Sequence, residues 1–235
     1  MSRLVVALLL ALSLRGCVVY EFEHEFWIRV DGSGSVNVTA RPELWAAMKG
    51  LRGAADSDAA MQTVRGLFES SGLRVRRVTL THRGGRPYLF VSADFPDVNR
   101  LAGTPAFPDL ALSLRPDGEN LRLEGRWSRP SGLPDVGRDA RDGLMAVRFH
   151  LPSKVYSHRN AFAGVERGNI VGWRETVVEG LAGRPLEVGA LMDRRSILMS
   201  TVGLFAIAIA AALAIFTAVL WWVVRKGRRA SAAVP

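Results

Sequence analysis

Few residues in this chain are of a type and spacing that could do chemistry. Cys17 is the single cysteine. A lone cysteine forms no intramolecular disulfide and no multi-cysteine metal site. That leaves a small buried residue, a reactive thiol or a modified residue. The histidines are His24, His82, His150 and His158. His24-Glu25 begins as a zinc-protease helix motif would, but position 28 is Ile28, so no second histidine completes the pair. His24 therefore reads as a strand residue. His82, His150 and His158 have no carboxylate or cysteine at metal-ligand spacing, and His158 reads as a solvated loop residue. Gly32-Ser33-Gly34 is a turn with no phosphate-binding lysine behind it, and no Gly-x-Ser-x-Gly elbow occurs. Asp56 and Asp58 in "AADSDAA" offer carboxylates to a cation, but their place before a helical apolar repeat fits capping better. The pattern predicts a protein that is not an enzyme, without a cofactor or a metal.

Charge distribution decides what kind of protein carries these residues. The net charge is +9, which first suggests a nucleic-acid binder. Yet all 22 acidic residues lie between Cys17 and Asp193, where basic residues balance them almost evenly. The excess sits in Arg3, Arg15, Arg194, Arg195, Arg225, Lys226, Arg228 and Arg229, which flank two apolar segments. Basic flanks of apolar segments are membrane topology signals; a nucleic-acid surface would put the charge on the folded domain. No nucleic-acid partner is expected.

The first apolar segment, Leu4–Leu14, covers only about half of a roughly 30 Å hydrocarbon core at about 1.5 Å per residue. It fits the apolar region of a secretory signal peptide, set at residues 1–16. The second, Ile197–Val224, has no charge and is long enough to span a bilayer with tilt, the membrane segment being set at 196–224. Trp221 and Trp222 close it at interface depth, and Arg225, Lys226, Arg228 and Arg229 open a basic tail, residues 225–235. The stronger positive flank stays in the cytoplasm. This predicts a cytoplasmic tail and a domain, residues 17–193, on the outer side of the cell membrane.

Leu14-Arg15-Gly16-Cys17 resembles the lipobox of bacterial lipoproteins. Leu14, Gly16 and Cys17 match that pattern, while Arg15 stands where a small or uncharged residue is usual. The resemblance implies cleavage between Gly16 and Cys17 and a diacylglycerol on the Cys17 sulfur. The domain would then be tethered at both ends.

Within the domain, Tyr20, Phe22 and His24 alternate with Glu21, Glu23 and Glu25, which predicts a strand with a bulge or face switch near Glu25-Phe26. "DGSGS" turns it into a hairpin with Val36, Val38 and Ala40. Helices are expected from Pro42 through "ELWAAMKGL" and from about Asp56 or Ser57 to Gly72. Strands follow at Leu73–Arg83, Pro87–Phe95, Leu110–Arg115, Leu121–Trp127, Leu144–Pro152, Gly168–Val177 and Pro185–Leu191, with a short helix at Pro96–Ala102 and a loop at Ser128–Gly143. The expected fold class is α+β: a curved antiparallel β-sheet with two or three helices on one face, plus one C-terminal transmembrane helix. Trp27, Trp45, Trp127, Trp173, Phe22, Phe26, Phe90 and Phe95 are expected mainly in its core, with a share available to line an apolar cavity.

The order of parts, with the "GNIVGW" segment (Gly168, Asn169, Trp173) before the spanning helix, resembles the LppM-like envelope lipoproteins. That resemblance implies a Bet v 1-like domain, a curved sheet gripping a helix over a cavity, with a lipid-handling role. No site residue carries over. The expectation is a non-enzymatic binding module at the membrane, taking a lipid or apolar ligand. An adaptor that contacts other envelope proteins is the alternative.

Overall fold

A computed structural model of the chain describes residues 20–51, 58–133, 143–162 and 164–231. Residues 1–19, Gly16 and Cys17 included, lie outside the described residues, as does Asp56.

The chain opens with β1 (Phe22–Ile28) and β2 (Gly34–Ala40), paired antiparallel from Phe22↔Ala40 to Ile28↔Gly34. The turn is closed by the Asp31 carboxylate, which accepts from the Ser33 N–H at 2.9 Å. Gly34 is required where the hairpin begins: a Cβ there would lie 2.0 Å from the Trp27 carbonyl oxygen. The bulge or face switch expected near Glu25-Phe26 does not occur. Phe22, His24, Phe26 and Ile28 all point inward and Glu23, Glu25 and Trp27 outward. Unbroken pairing to β2 holds period two through the strand.

Helix α1 (Pro42–Lys49) starts on Pro42, whose missing N–H costs nothing in the first turn. It ends on Gly50 in the left-handed region, whose N–H caps the Ala46 carbonyl. Helix α2 (Asp58–Ser70) follows and buries Val64 and Phe68. Then come β3 (Arg74–Arg83) and β4 (Arg86–Phe95), a 3-10 turn (Val98–Arg100), β5 (Leu110–Asp117) and β6 (Asn120–Trp127). The last third holds β7 (Leu144–His150), β8 (Val155–His158), β9 (Val165–Glu166), β10 (Ile170–Thr176), α3 (Val177–Leu181), β11 (Leu186–Asp193) and α4 (Ile197–Ser231).

The class is α+β, with the strands divided between two open sheets. One has seven strands in the order β3-β4-β2-β1-β7-β10-β9, and the other four, β5-β6-β11-β8. All pairs are antiparallel except β1–β7, which is parallel. The sheets meet through their inner faces: Phe22 on β1 lies 5.1 Å, ring to ring, from Trp127 on β6, edge to face. Trp45 of α1, Phe68 of α2 and Phe107 fill the space beside them.

Two short elements lie where no separate element was expected, Val177 having been expected as the end of a strand. Val155–His158 forms β8, so His158 is an exposed strand residue. Val177–Leu181 forms α3, held by a capping box between Thr176 and Glu179. Helix α4 continues past Val224 through Lys226, Arg228 and Arg229. Its portion Thr201–Arg225 is apolar, exposed and long enough to cross a membrane: about 1.5 Å per residue gives about 37 Å against a roughly 30 Å core.

Candidate functional site

Alternation in β1 gives the seven-stranded sheet two unlike faces. On the inner face, Lys49 Nζ lies 2.9 Å from Asp109 Oδ1, both side chains fully buried. The ammonium also donates to the Ala106 carbonyl at 2.7 Å and lies 4.6 Å from the Phe107 ring centre. Trp127 Nε1 donates to Asp109 Oδ2 at 2.8 Å. Burial lowers the Lys49 pKa and the Asp109 carboxylate counters it. His24 is fully buried beside this network, 4.7 Å from the Trp127 ring. Burial, with the Lys49 charge second, holds its imidazole well below its ordinary pKa, so it is neutral. Neither ring nitrogen has a hydrogen-bond partner among the described residues. This cluster is closed to water, so its chemistry is that of a tie between α1, the loop before β5, and β6. No group of His, Cys, Asp and Glu suited to a metal occurs among the described residues.

The outer face is built differently. Trp27 stands opposite Ser35 on β2, and Glu25 opposite Asn37. Ser92 on β4 continues the Asn37 row, Phe90 lies in the next row opposite Thr39, and Arg77 on β3 faces Ser92. Between Val75 and Arg77 the β3–β4 register shifts by one residue. A bulge of this kind sets two residues against one, and Arg76 and Arg77 both reach solvent. Together these side chains line an open groove of about 610 Å³. Trp27 and Phe90 supply its apolar surface, Ser35, Asn37 and Ser92 its hydrogen-bonding floor, and Arg76 and Arg77 its charge. Arg76 is held by Asp94 at 3.3 Å, while Arg77 forms no ion pair among the described residues.

A charged row borders the groove. His150 Nε2 lies 2.8 Å from Glu25 Oε1, and its ring stacks on Trp27 at 4.7 Å and 15°. Arg148 Nη1 lies 3.7 Å from Glu23 and 3.6 Å from Glu25. Burial raises the Glu23 pKa, against the pull of Arg148. The row fixes the Trp27 indole as one wall of the groove.

The aromatic residues thus divide by function. Trp45, Trp127, Trp173, Phe22, Phe26 and Phe95 are core, and Trp27 and Phe90 line the groove. Spacing did not single out Arg76, Arg77, Arg148 or the Lys49–Asp109 pair. The available signal was Trp27 itself, a large apolar residue in phase with Glu23 and Glu25. On α4, Trp221 and Trp222 are exposed, and the Arg225 guanidinium lies 4.9 Å from the Trp221 ring centre.

No family model matches the chain, and no curated protein matches it. Among solved structures the chain is similar to the NMR structure of the folded domain of LppM from Mycobacterium tuberculosis, at 18% identity and a TM-score of 0.42, over 75% of this chain and 90% of that one.

Proposed function

We propose that this chain is a membrane-anchored envelope lipoprotein whose extracytoplasmic domain is a non-enzymatic binding module for a lipid-like amphiphile. In this reading α4 spans the bilayer, Trp221 and Trp222 sit at its cytoplasmic interface, and Arg225, Lys226, Arg228 and Arg229 hold the tail inside. Cys17, acylated after cleavage at Gly16, anchors the other end.

The observation that carries the ligand assignment is the groove. Its indole and phenyl walls suit a hydrocarbon segment, and the Arg77 guanidinium beside them suits an anionic end. A groove so open and so partly polar does not suit a wholly apolar ligand, which would leave Arg76 and Arg77 facing hydrocarbon. The size falls in the range of small-ligand sites.

The test is a titration of the full chain in nanodiscs with a short-chain, water-soluble anionic phospholipid, read by native mass spectrometry. The expected result is one bound amphiphile, lost at least tenfold in affinity in Arg77→Ala and in Trp27→Ala. An unbound wild type, or variants that bind equally well, would overturn the assignment.

A further inference from the structure

The side wall of the sandwich, where the two sheets end in β8 and β9, carries a second surface. Residues 154–162 run from one sheet to the other, and residues 164–167 follow around β9. The Arg159 N–H donates to the Gly189 carbonyl on β11, and the Phe162 N–H to the Gly172 carbonyl on β10. Tyr156 and Phe162 are 54% and 52% exposed, a level otherwise confined, among the described large apolar side chains outside α4, to Val178. Lys154, Arg159 and Arg167 are exposed on the same segment, and the Arg174 guanidinium lies 3.0 Å from the Phe162 ring centre. Glu166 is the one acidic residue of the segment.

This wall lies at the root of α4. The Asp193 N–H donates to the Lys154 carbonyl, and the Tyr156 hydroxyl donates to Asp193 Oδ2, both at 2.9 Å. Only Arg194, Arg195 and Ser196 separate Asp193 from the helix. A chain reaches at most about 3.6 Å per residue, so α4 begins within about 15 Å of Asp193, the residue to which Tyr156 is bonded. At the other end of the wall, Tyr20 and Phe162 line one small cavity of about 60 Å³.

We propose that this wall lies on the bilayer, with Tyr156 and Phe162 in the interface and Lys154, Arg159, Arg167 and Arg174 facing anionic lipid headgroups. The proposal rests on the reading that α4 spans the membrane. Aromatic rings with a polar or cationic companion favour the headgroup level, and basic residues there are drawn to anionic lipid. The spanning helix holds the wall close, so individually weak contacts act at high effective concentration. The strands of the seven-stranded sheet then lie along the membrane. The groove, on β1 to β4, faces the aqueous side beyond β10 and β7.

The test uses the full chain in nanodiscs carrying a photoactivatable phospholipid, with crosslinks mapped by mass spectrometry. In discs containing phosphatidylglycerol, crosslinks are expected on α4 and on Tyr156, Phe162 and their neighbours, and not around Trp27 or Phe90. Tyr156→Ser with Phe162→Ser should lower the wall signal several-fold while α4 labelling and the near-UV circular dichroism stay unchanged. Pure phosphatidylcholine discs should lower it as well. Labelled α4 with an unlabelled wall would overturn this proposal alone, as would equal labelling in both lipids or crosslinks from the wall to a second copy. An unlabelled α4 would overturn the spanning reading itself.

Discussion

The two faces of the seven-stranded sheet are made by the same strands and obey different rules. On the inner face the charged pair Lys49–Asp109 has no solvent contact, and the Lys49 ammonium and Asp109 carboxylate are hydrogen-bonded at 2.7 to 2.9 Å. On the outer face Glu23, Glu25 and Arg148 keep partial contact with water at separations of 3.6 to 3.7 Å. Inside, a charge is tolerable only with every partner in place. Outside, water stands in for a missing partner, so charges are free to border an open groove. The inner face therefore holds the fold, and the outer face leaves its charges open to solvent.

The comparison is broken most forcefully at Asp109. Asp109→Ala leaves the Lys49 ammonium buried without its carboxylate and should cost about 3–5 kcal/mol. Urea unfolding of the full chain in detergent, followed by the near-UV signal of the buried tryptophans, measures it. A loss below about 1 kcal/mol, the level of an exposed pair, would remove the distinction between the faces.

His24 sharpens the same contrast through pH. The folded pKa is depressed below the ordinary 6.5, so only the unfolded chain takes up the proton as pH falls through that value. Stability contributed by neutral His24 is therefore present above pH 6.5 and lost below it, with a slope approaching about 1.4 kcal/mol per pH unit. His24→Leu keeps the volume and removes the proton. The stability difference between variant and wild type should shift in the variant's favour on acidification from pH 7 in paired unfolding curves, and a constant difference would refute the assignment. The smallest effect is expected on the outer face: Arg148→Met should change stability by less than about 1 kcal/mol, because its pairs are partly solvated.

The elements that announce themselves locally were legible in sequence. Period two in β1, the glycine turns and the apolar spacing of α2 all depend on near neighbours. What was not legible depends on distant ones. Lys49 reads as an ordinary basic residue in the last turn of α1, and only the fold brings Asp109 to it. Glu25 meets His150 across a parallel pairing that alternation does not encode. The bulge at Arg76 adds one residue to an otherwise regular strand, and its register shift belongs to the pairing with β4. Tyr156 and Phe162 lie in a stretch too short and polar for a strand pattern. Cys17, the most specific chemical signal in the chain, lies outside the described residues.

The parallel pair has a consequence for biosynthesis. β1 leaves the ribosome early and finds β2 within a few residues, but its other neighbour, β7, is made about 120 residues later. Until then one edge of β1, with Phe22, Phe26 and Trp27 beside it, stays open to any extended chain. An unpaired apolar edge is a template for aggregation. Each newly made molecule therefore passes through an interval in which its central strand must be kept from its neighbours. A block in completing β7 should yield insoluble protein rather than a soluble half-domain.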